Sequence, residues 1–155
     1  MKTRVLVVCL GNICRSPLAH GIFENLLPSN DFFVDSAGTG GYHIGSAPDP
    51  RSIAVAKNHG LDISKQKARK FQSEDFVLFD RIFVMDSSNY QNVVELCQNE
   101  ENLNKVELLT EAAGLNATEV PDPYYDDDGF EQVYQLIHQS CLQIVRKLIA
   151  QKKSE

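Results

Sequence analysis

Residues 5–23, VLVVCLGNICRSPLAHGIF, constrain the fold more tightly than any other segment. The β-branched and apolar run at residues 4–8 predicts a short strand buried on both faces. Gly11 and Asn12 follow, the two residue types most tolerant of left-handed backbone. Ser16-Pro17 then predicts a helix start, with serine as N-cap and proline at the first helical position. Leu18, Ala19, Ile22, Phe23, Leu26 and Leu27 recur at helical spacing, and Pro28 predicts the end of that helix.

The same alternation continues. Residues 32–36 predict a second strand, and residues 37–48 a glycine-rich loop. Asp49-Pro50 repeats the helix-start pattern, and Gly60 is placed to end that helix. Residues 73–79 predict a short helical turn, 81–85 a third strand, 87–96 a helix and 106–109 a weaker fourth strand. The last helix carries one apolar stripe: Phe130, Val133, Tyr134, Ile137, Cys141, Ile144, Val145 and Leu148. Asp128 and Glu131 predict a capping-box-like start for it. Strands alternating with helices imply a parallel sheet with helices on both faces. Ligands bind such sheets at the carboxyl ends of strands, near the switch in strand order. Residues 9–16 occupy that kind of position.

The chain has 155 residues, 43% of them hydrophobic, which fits one domain over residues 1–155 with a real core. A net charge of −6 argues against broad nucleic-acid or anionic-membrane binding, which needs a basic surface. The apolar run near the N-terminus is too short for a membrane span, and Gly11, Asn12 and Arg15 follow too soon for a secretory signal. A cytoplasmic protein with reduced cysteines at 9, 14, 97 and 141 is the expectation.

The segment CLGNICRS, from Cys9 to Ser16, has the makings of an anion cradle. Its short loop (Leu10, Gly11, Asn12, Ile13, Cys14) can turn successive N–H groups inward, and the helix that follows adds its own unpaired N–H groups. Such an arrangement suits a tetrahedral dianion. Arg15 adds a planar fork that can hold two oxygens. An ordinary thiol has a pKa of roughly 8.5, and a helix N-terminus with a nearby arginine favours the reactive thiolate. Cys9 lies at the base of this cradle, and Ser16 can donate a hydrogen bond to its sulfur. The alternative is a buried strand-end cysteine in a tight turn. A nucleotide-binding loop is excluded, because no Gly-Lys-Ser/Thr follows.

Two decoys lie elsewhere. Asp126-Asp127-Asp128-Gly129 hints at a calcium loop, but Tyr124 stands where the first acid is required and Gln135 at the closing glutamate. A solvated acidic cap is the simpler reading. The four cysteines and His20, His43, His59 and His138 show no paired spacing convincing for zinc.

The segment VCLGNICRSPLA resembles the phosphate-binding loop of the low-molecular-weight protein tyrosine phosphatases. Further matching motifs occur in order along nearly the whole chain. They are Ala47-Pro48-Asp49-Pro50-Arg51, Asn58-His59-Gly60, Lys67-Ala68-Arg69, Asp75-Phe76, Met85-Asp86 and Asp122-Pro123-Tyr124-Tyr125. The expected fold class is α/β. It is a single-domain open parallel sheet of about four strands, order 2-1-3-4, with helices on both faces, flavodoxin-like.

The resemblance implies that Cys9 attacks phosphorus, that Arg15 binds the phosphate and the transition state, and that Asp122 serves as general acid and then base. It implies that Asn12, Ser36 and Asp86 hold the loop in shape and hydrogen-bond around Ser16, and that Tyr42 and Tyr124 stand at the pocket rim. Cys14 is implied as a redox partner of Cys9. Gln66 departs from the histidine of mammalian relatives; it can hydrogen-bond but carries no charge. Tyr42 stands where relatives often have tryptophan. No cofactor and no metal are implied. The implied partner is a phosphotyrosine protein or peptide, such as a tyrosine kinase, with the enzyme a monomer that binds neither nucleic acid nor membrane. Two other readings stand beside this one. Thioredoxin-coupled arsenate reductases resemble the fold and loop but need two further redox cysteines close together, which Cys97 does not provide. A non-catalytic phosphoprotein-binding module is disfavoured by intact Cys9, Arg15 and Asp122.

Overall fold

The computed structural model describes residues 1–117 and 119–155. Four strands form one parallel sheet: β1 (Thr3–Cys9), β2 (Phe32–Gly38), β3 (Arg81–Val84) and β4 (Val106–Leu108), in the order β2-β1-β3-β4. This is the open α/β arrangement with order 2-1-3-4 expected from the sequence. The helices are α1 (Arg15–Leu26), α2 (Pro50–Asn58), α3 (Asp75–Leu78), α4 (Ser87–Val94), α5 (Glu100–Leu103), α6 (Leu109–Ala112) and α7 (Phe130–Lys153). The sequence reading did not anticipate α5 and α6, each of four residues.

Alternation along β1 explains the two layers. Val5 and Val7 face one core with Phe23 of α1 and Ile137 and Ile144 of α7. Leu6 and Val8 face the other, with Phe71, Phe76, Ile82 and Val93. Side chains of successive residues leave a strand on opposite faces, so a strand covered on both sides must be apolar throughout. β1 lies between β2 and β3, and every residue from Val5 to Cys9 is buried.

The helix α2 begins and ends as its sequence predicts. Asp49 caps it, accepting from the Arg51 N–H at 2.8 Å, and Pro50 is the first helical residue. An aspartate cap of this kind contributes about 1 kcal/mol. At the other end Gly60 takes φ = +83°, while Gly60 N–H and Leu61 N–H donate to the carbonyls of Lys57 and Ala56. That is the paired bonding of a Schellman ending, which favours glycine.

Two helix starts differ from expectation. α1 begins at Arg15, with Cys14 in the capping position, so Ser16 lies inside the first turn. Pro17 is tolerated as the third helical residue because the first four N–H groups have no partner inside the helix. α7 begins after Gly129, and neither Asp128 nor Glu131 caps it. Asp128 instead sits in a 3-10 turn, Asp127–Gly129, where its N–H donates to Asp126. Glu131 is engaged by His59 at 2.9 Å and by Gln135 at 2.7 Å.

Candidate active site

Cys9 ends β1, and α1 starts six residues later. The loop between them turns its carbonyls outward. Cys9 O accepts from Thr39 N–H (2.9 Å), Leu10 O from Gly40 N–H (2.8 Å) and Ile13 O from Asp49 N–H (2.8 Å). The Ser52 hydroxyl donates to Cys14 O at 3.2 Å. The backbone N–H groups of residues 10–14 donate no hydrogen bond among the described residues. With the carbonyls of Cys9, Leu10, Ile13 and Cys14 engaged by the surrounding protein, the loop keeps its N–H donors for an anion.

Three residues fix this shape. Asn12 takes φ = +56°, the left-handed region that asparagine tolerates better than most residues. Its amide donates to the Ser16 hydroxyl at 2.8 Å, and its carbonyl accepts from Arg69 N–H at 3.0 Å. Because Ser16 Oγ already accepts from Asn12, its hydrogen is available to Cys9 Sγ, 3.1 Å away. This engagement also explains why Ser16 does not cap α1. Gly38 is a third fixed point, at the end of β2. A Cβ there would lie 2.8 Å from Leu10 O and 3.0 Å from Asn12 N, so only glycine lets the loop lie against the sheet.

Arg15 is 2% exposed. A buried guanidinium is costly unless its charge is paired and its hydrogens are used. Its Nη1 donates to Asp86 Oδ2 at 2.6 Å and to Val120 O at 2.9 Å, and its Nη2 lies 3.6 Å from Asp122 Oδ2. Its Nε is buried without a partner among the described residues, leaving a donor for an anion. Burial favours loss of the proton, but Cys9, the bond to Asp86 and the charge of Asp122 outweigh it. Arg15 therefore holds its proton more tightly than an ordinary guanidinium. Asp86 acts at two places, since its other oxygen caps α4 by accepting from Asn89 N–H at 2.8 Å.

The two loop cysteines have different surroundings. Burial pushes the Cys14 thiol up to about 12, and nearby Asp49, Cys9 and Asp122 add to the effect against Arg51. At neutral pH Cys14 is an uncharged thiol. Cys97 bonds Asn99 O, and Cys141 lies fully buried in the α7 stripe; all four cysteines are free.

The cleft above the loop encloses about 370 Å³. Cys9, Ile13, Cys14 and Arg15 form its buried floor, with Leu10 and Gly11 beside them. Tyr42, His43, Asp122, Tyr124 and Tyr125 form its mouth. Asp122 accepts from Tyr124 N–H at 3.1 Å, a local turn that fixes its carboxylate at the rim. Arg51, anchored to Asp49 at 2.9 Å and also paired with Asp127, lies over the Tyr124 ring at 5.6 Å. Among the described residues no group of three histidine, cysteine or acidic side chains is placed to hold a metal ion, and Asp126-Asp127-Asp128 forms only the turn before α7.

Of the residues singled out in the sequence, Cys9, Asn12, Cys14, Arg15, Ser16, Asp86 and Asp122 meet in this one site, with Tyr42 and Tyr124 at its edge. Two contacts differ from the expected ones around Ser16. Ser36 Oγ meets His20 Nδ1 at 2.9 Å, joining β2 to α1, because its strand position points it at that helix. Asp86 meets Arg15. Gln66 reaches the Pro17 carbonyl at 3.1 Å, on the first turn of α1, and its own oxygen is buried without a partner among the described residues. His43, Tyr125, Gly38 and Arg69 were not among the expected site residues. Arg69 contributes only a backbone N–H to Asn12, and no side-chain pattern signals that.

The comparisons agree with this geometry. The family described as Low molecular weight phosphotyrosine protein phosphatase matches residues 4–154. The fission yeast Schizosaccharomyces pombe enzyme of that description is 44% identical over 138 residues, covering 84% of this chain and 87% of its own. The human enzyme is 41% identical over 154 residues, covering 92% of this chain and 94% of its own. A crystal structure of a protein tyrosine phosphatase from Entamoeba histolytica, with Hepes in the active site, superposes with a TM-score of 0.91 at 35% identity. It covers 97% of this chain and 99% of that one. With likeness of this extent in both sequence and fold, the chain belongs to the low molecular weight phosphotyrosine protein phosphatase family.

Proposed function

We propose that this protein hydrolyses phosphotyrosine in proteins or peptides through a cysteinyl-phosphate on Cys9. The observation that carries the reading is the loop beside Cys9 whose carbonyls at Cys9, Leu10, Ile13 and Cys14 are engaged by the surrounding protein, while its N–H groups at residues 10–14 have no partner among the described residues. In the first step Cys9 Sγ, as thiolate, attacks phosphorus and the P–O bond to the aryl ring breaks. Asp122, as the acid, gives its proton to the leaving phenolate oxygen. In the second step Asp122, now a carboxylate, takes a proton from water. The resulting hydroxide attacks phosphorus, the S–P bond breaks, and Cys9 returns to thiolate. Arg15 and the loop N–H groups hold the equatorial oxygens through both transfers, where preorganised donors act most strongly. Tyr42 and Tyr124 at the mouth suit a phenyl ring packed between them.

The enzyme would act in the cytoplasm as a monomer, on phosphotyrosine proteins such as an autophosphorylated tyrosine kinase. Among the described residues no helix is long and apolar enough to cross a membrane. Assays without metal on phosphotyrosine, phosphoserine and arsenate, run side by side, test the substrate class. Phosphotyrosine should be turned over at least ~10²-fold faster than phosphoserine, whose alkoxide leaves less readily. Equal rates on the two phosphates, or reduction of arsenate alone, would contradict the reading.

Cys14 is assigned the protective role. Peroxide oxidises Cys9 to sulfenic acid, losing one oxygen of the peroxide as water. The Cys14 sulfur then displaces the sulfenic oxygen as a second water, forming the Cys9–Cys14 disulfide, which a dithiol reduces. Because the Cys14 thiol is pushed up to about 12, this second step should quicken as pH rises from 7 to 9. Wild-type activity lost to peroxide should return with a dithiol, and activity of Cys14→Ser should return far less. Equal recovery in the two proteins would remove this role.

A further inference from the structure

A second groove adjoins the reaction cleft. It encloses about 430 Å³ and lies between the loop after β2, residues 70–73 and the end of α4. Leu10 and Tyr42 line both spaces, so the groove opens directly beside the phosphate loop. Gly40 N–H donates to Leu10 O, tying the groove floor to that loop. A Cβ at Gly40 would lie 2.5 Å from Tyr42 Cε2, so glycine is what allows the tyrosine ring to fold down as a low wall between groove and cleft.

The chemistry of the groove is specific in charge. The chain as a whole carries −6, yet among the described residues Lys70 is the sole charged side chain lining the groove. Neighbouring Arg69 is committed to Asp35 at 3.0 Å and Asp75 at 3.1 Å, whereas Lys70 makes no ion pair among the described residues. The Thr39 hydroxyl in the same wall is buried without a hydrogen-bond partner there. Leu10 and Leu96, both about two-fifths exposed, supply apolar area at either side. A peptide held by its phosphotyrosine in the cleft advances at most ~3.5 Å per residue, so residues within about three positions can reach the groove.

We infer that this groove is a subsite for the peptide flanking the phosphotyrosine, with Lys70 selecting an acidic side chain. The inference rests on the phosphatase reading above. Its occupant is an aspartate or glutamate of the substrate, since that group complements an unpaired ammonium where no carboxylate opposes it. Lys70 is a specificity-determining residue and stays clear of the reacting atoms.

The test uses three phosphotyrosine peptides that differ only in having acidic, neutral or lysine residues beside the phosphotyrosine. Values of kcat/KM for wild type and Lys70→Glu are each divided by the same protein's value on p-nitrophenyl phosphate. Wild type should prefer the acidic peptide over the lysine peptide about three- to tenfold, mainly through KM, and the preference should shrink with added salt. Lys70→Glu should invert the order. Leu96→Glu, which places a carboxylate in the same groove, should also weaken the acidic preference. An unchanged ranking in both variants, with aryl phosphate still hydrolysed, would overturn the subsite alone. Absence of turnover on p-nitrophenyl phosphate by wild type would overturn the phosphatase reading and the subsite with it.

Discussion

Replacing Cys9 by serine is expected to lower aryl-phosphate turnover by about 10³-fold or more while leaving the protein folded. The two side chains are nearly isosteric, and the site offers serine the hydrogen bond that Ser16 now shares with sulfur at 3.1 Å. Stability should therefore stay within about 1 kcal/mol of wild type, readable as an almost unchanged denaturation curve. A serine oxygen at neutral pH is an uncharged alcohol, and its side-chain hydrogen-bond partner at this position among the described residues, the Ser16 hydroxyl, is no base. Arg15 and the loop N–H groups remain, so the variant should still bind phosphate. Full activity in Cys9→Ser would refute covalent transfer to this residue.

Asp122→Asn should cost less on one substrate than on another. General acid catalysis typically contributes ~10²–10⁴-fold, and only where the leaving oxygen needs a proton. Phenyl phosphate or phosphotyrosine should lose a factor in that range. With p-nitrophenyl phosphate, whose phenolate leaves readily without protonation, the loss in the first step should be far smaller. Asp122 is partly exposed, with a side-chain accessibility of 37%, and Arg15 keeps Asp86 as its close partner, so folding should be little affected. Equal losses across leaving groups would contradict the acid role and reduce Asp122 to an electrostatic neighbour of Arg15.

What the sequence could reveal followed the range of each interaction. The α2 boundaries were legible because a cap, a first-position proline and a positive-φ glycine act over two or three residues. The β1 strand and the α7 stripe were legible because burial repeats with a fixed period along the chain. The start of α1 was misplaced because the Ser16 hydroxyl is taken by Asn12 and Cys9, a choice visible only once the loop closes. Asp128 and Glu131 misled for a similar reason: Glu131 finds His59, just past the end of α2, which no local pattern indicates.

The site divides along the same line. The cradle from Cys9 to Ser16 could be read from one short segment, since the glycine, the asparagine and the helix start together create it. The pairings of Arg15 with Asp86 and with Asp122 span 71 and 107 residues. They depend on β3 lying beside β1 and on the chain returning after β4, and only family resemblance reached Asp122. Ser36 illustrates the limit of resemblance as well, since its contact is with His20 and not with Ser16.

Arg15 also links the floor of the cleft to its rim. One guanidinium contacts Asp86 at the start of α4, the carbonyl of Val120 and the carboxylate of Asp122. Val120 N–H in turn donates to Met85 O at 2.8 Å, and Glu119 accepts from both N–H and hydroxyl of Ser87. The segment bearing Asp122 is thus fastened to the end of β3 and the start of α4. An anion entering the loop meets an arginine whose position is already determined, which avoids the cost of ordering it during reaction.

The most direct measurement is to mix the enzyme with excess aryl phosphate, quench in acid within milliseconds and map the phosphoryl group by mass spectrometry. The account predicts one phosphoryl group on the peptide containing Cys9, accumulating further in Asp122→Asn on p-nitrophenyl phosphate because hydrolysis of the intermediate then lacks its base. Turnover with no phosphoenzyme in either protein, or a phosphoryl group on any residue other than Cys9, would contradict it.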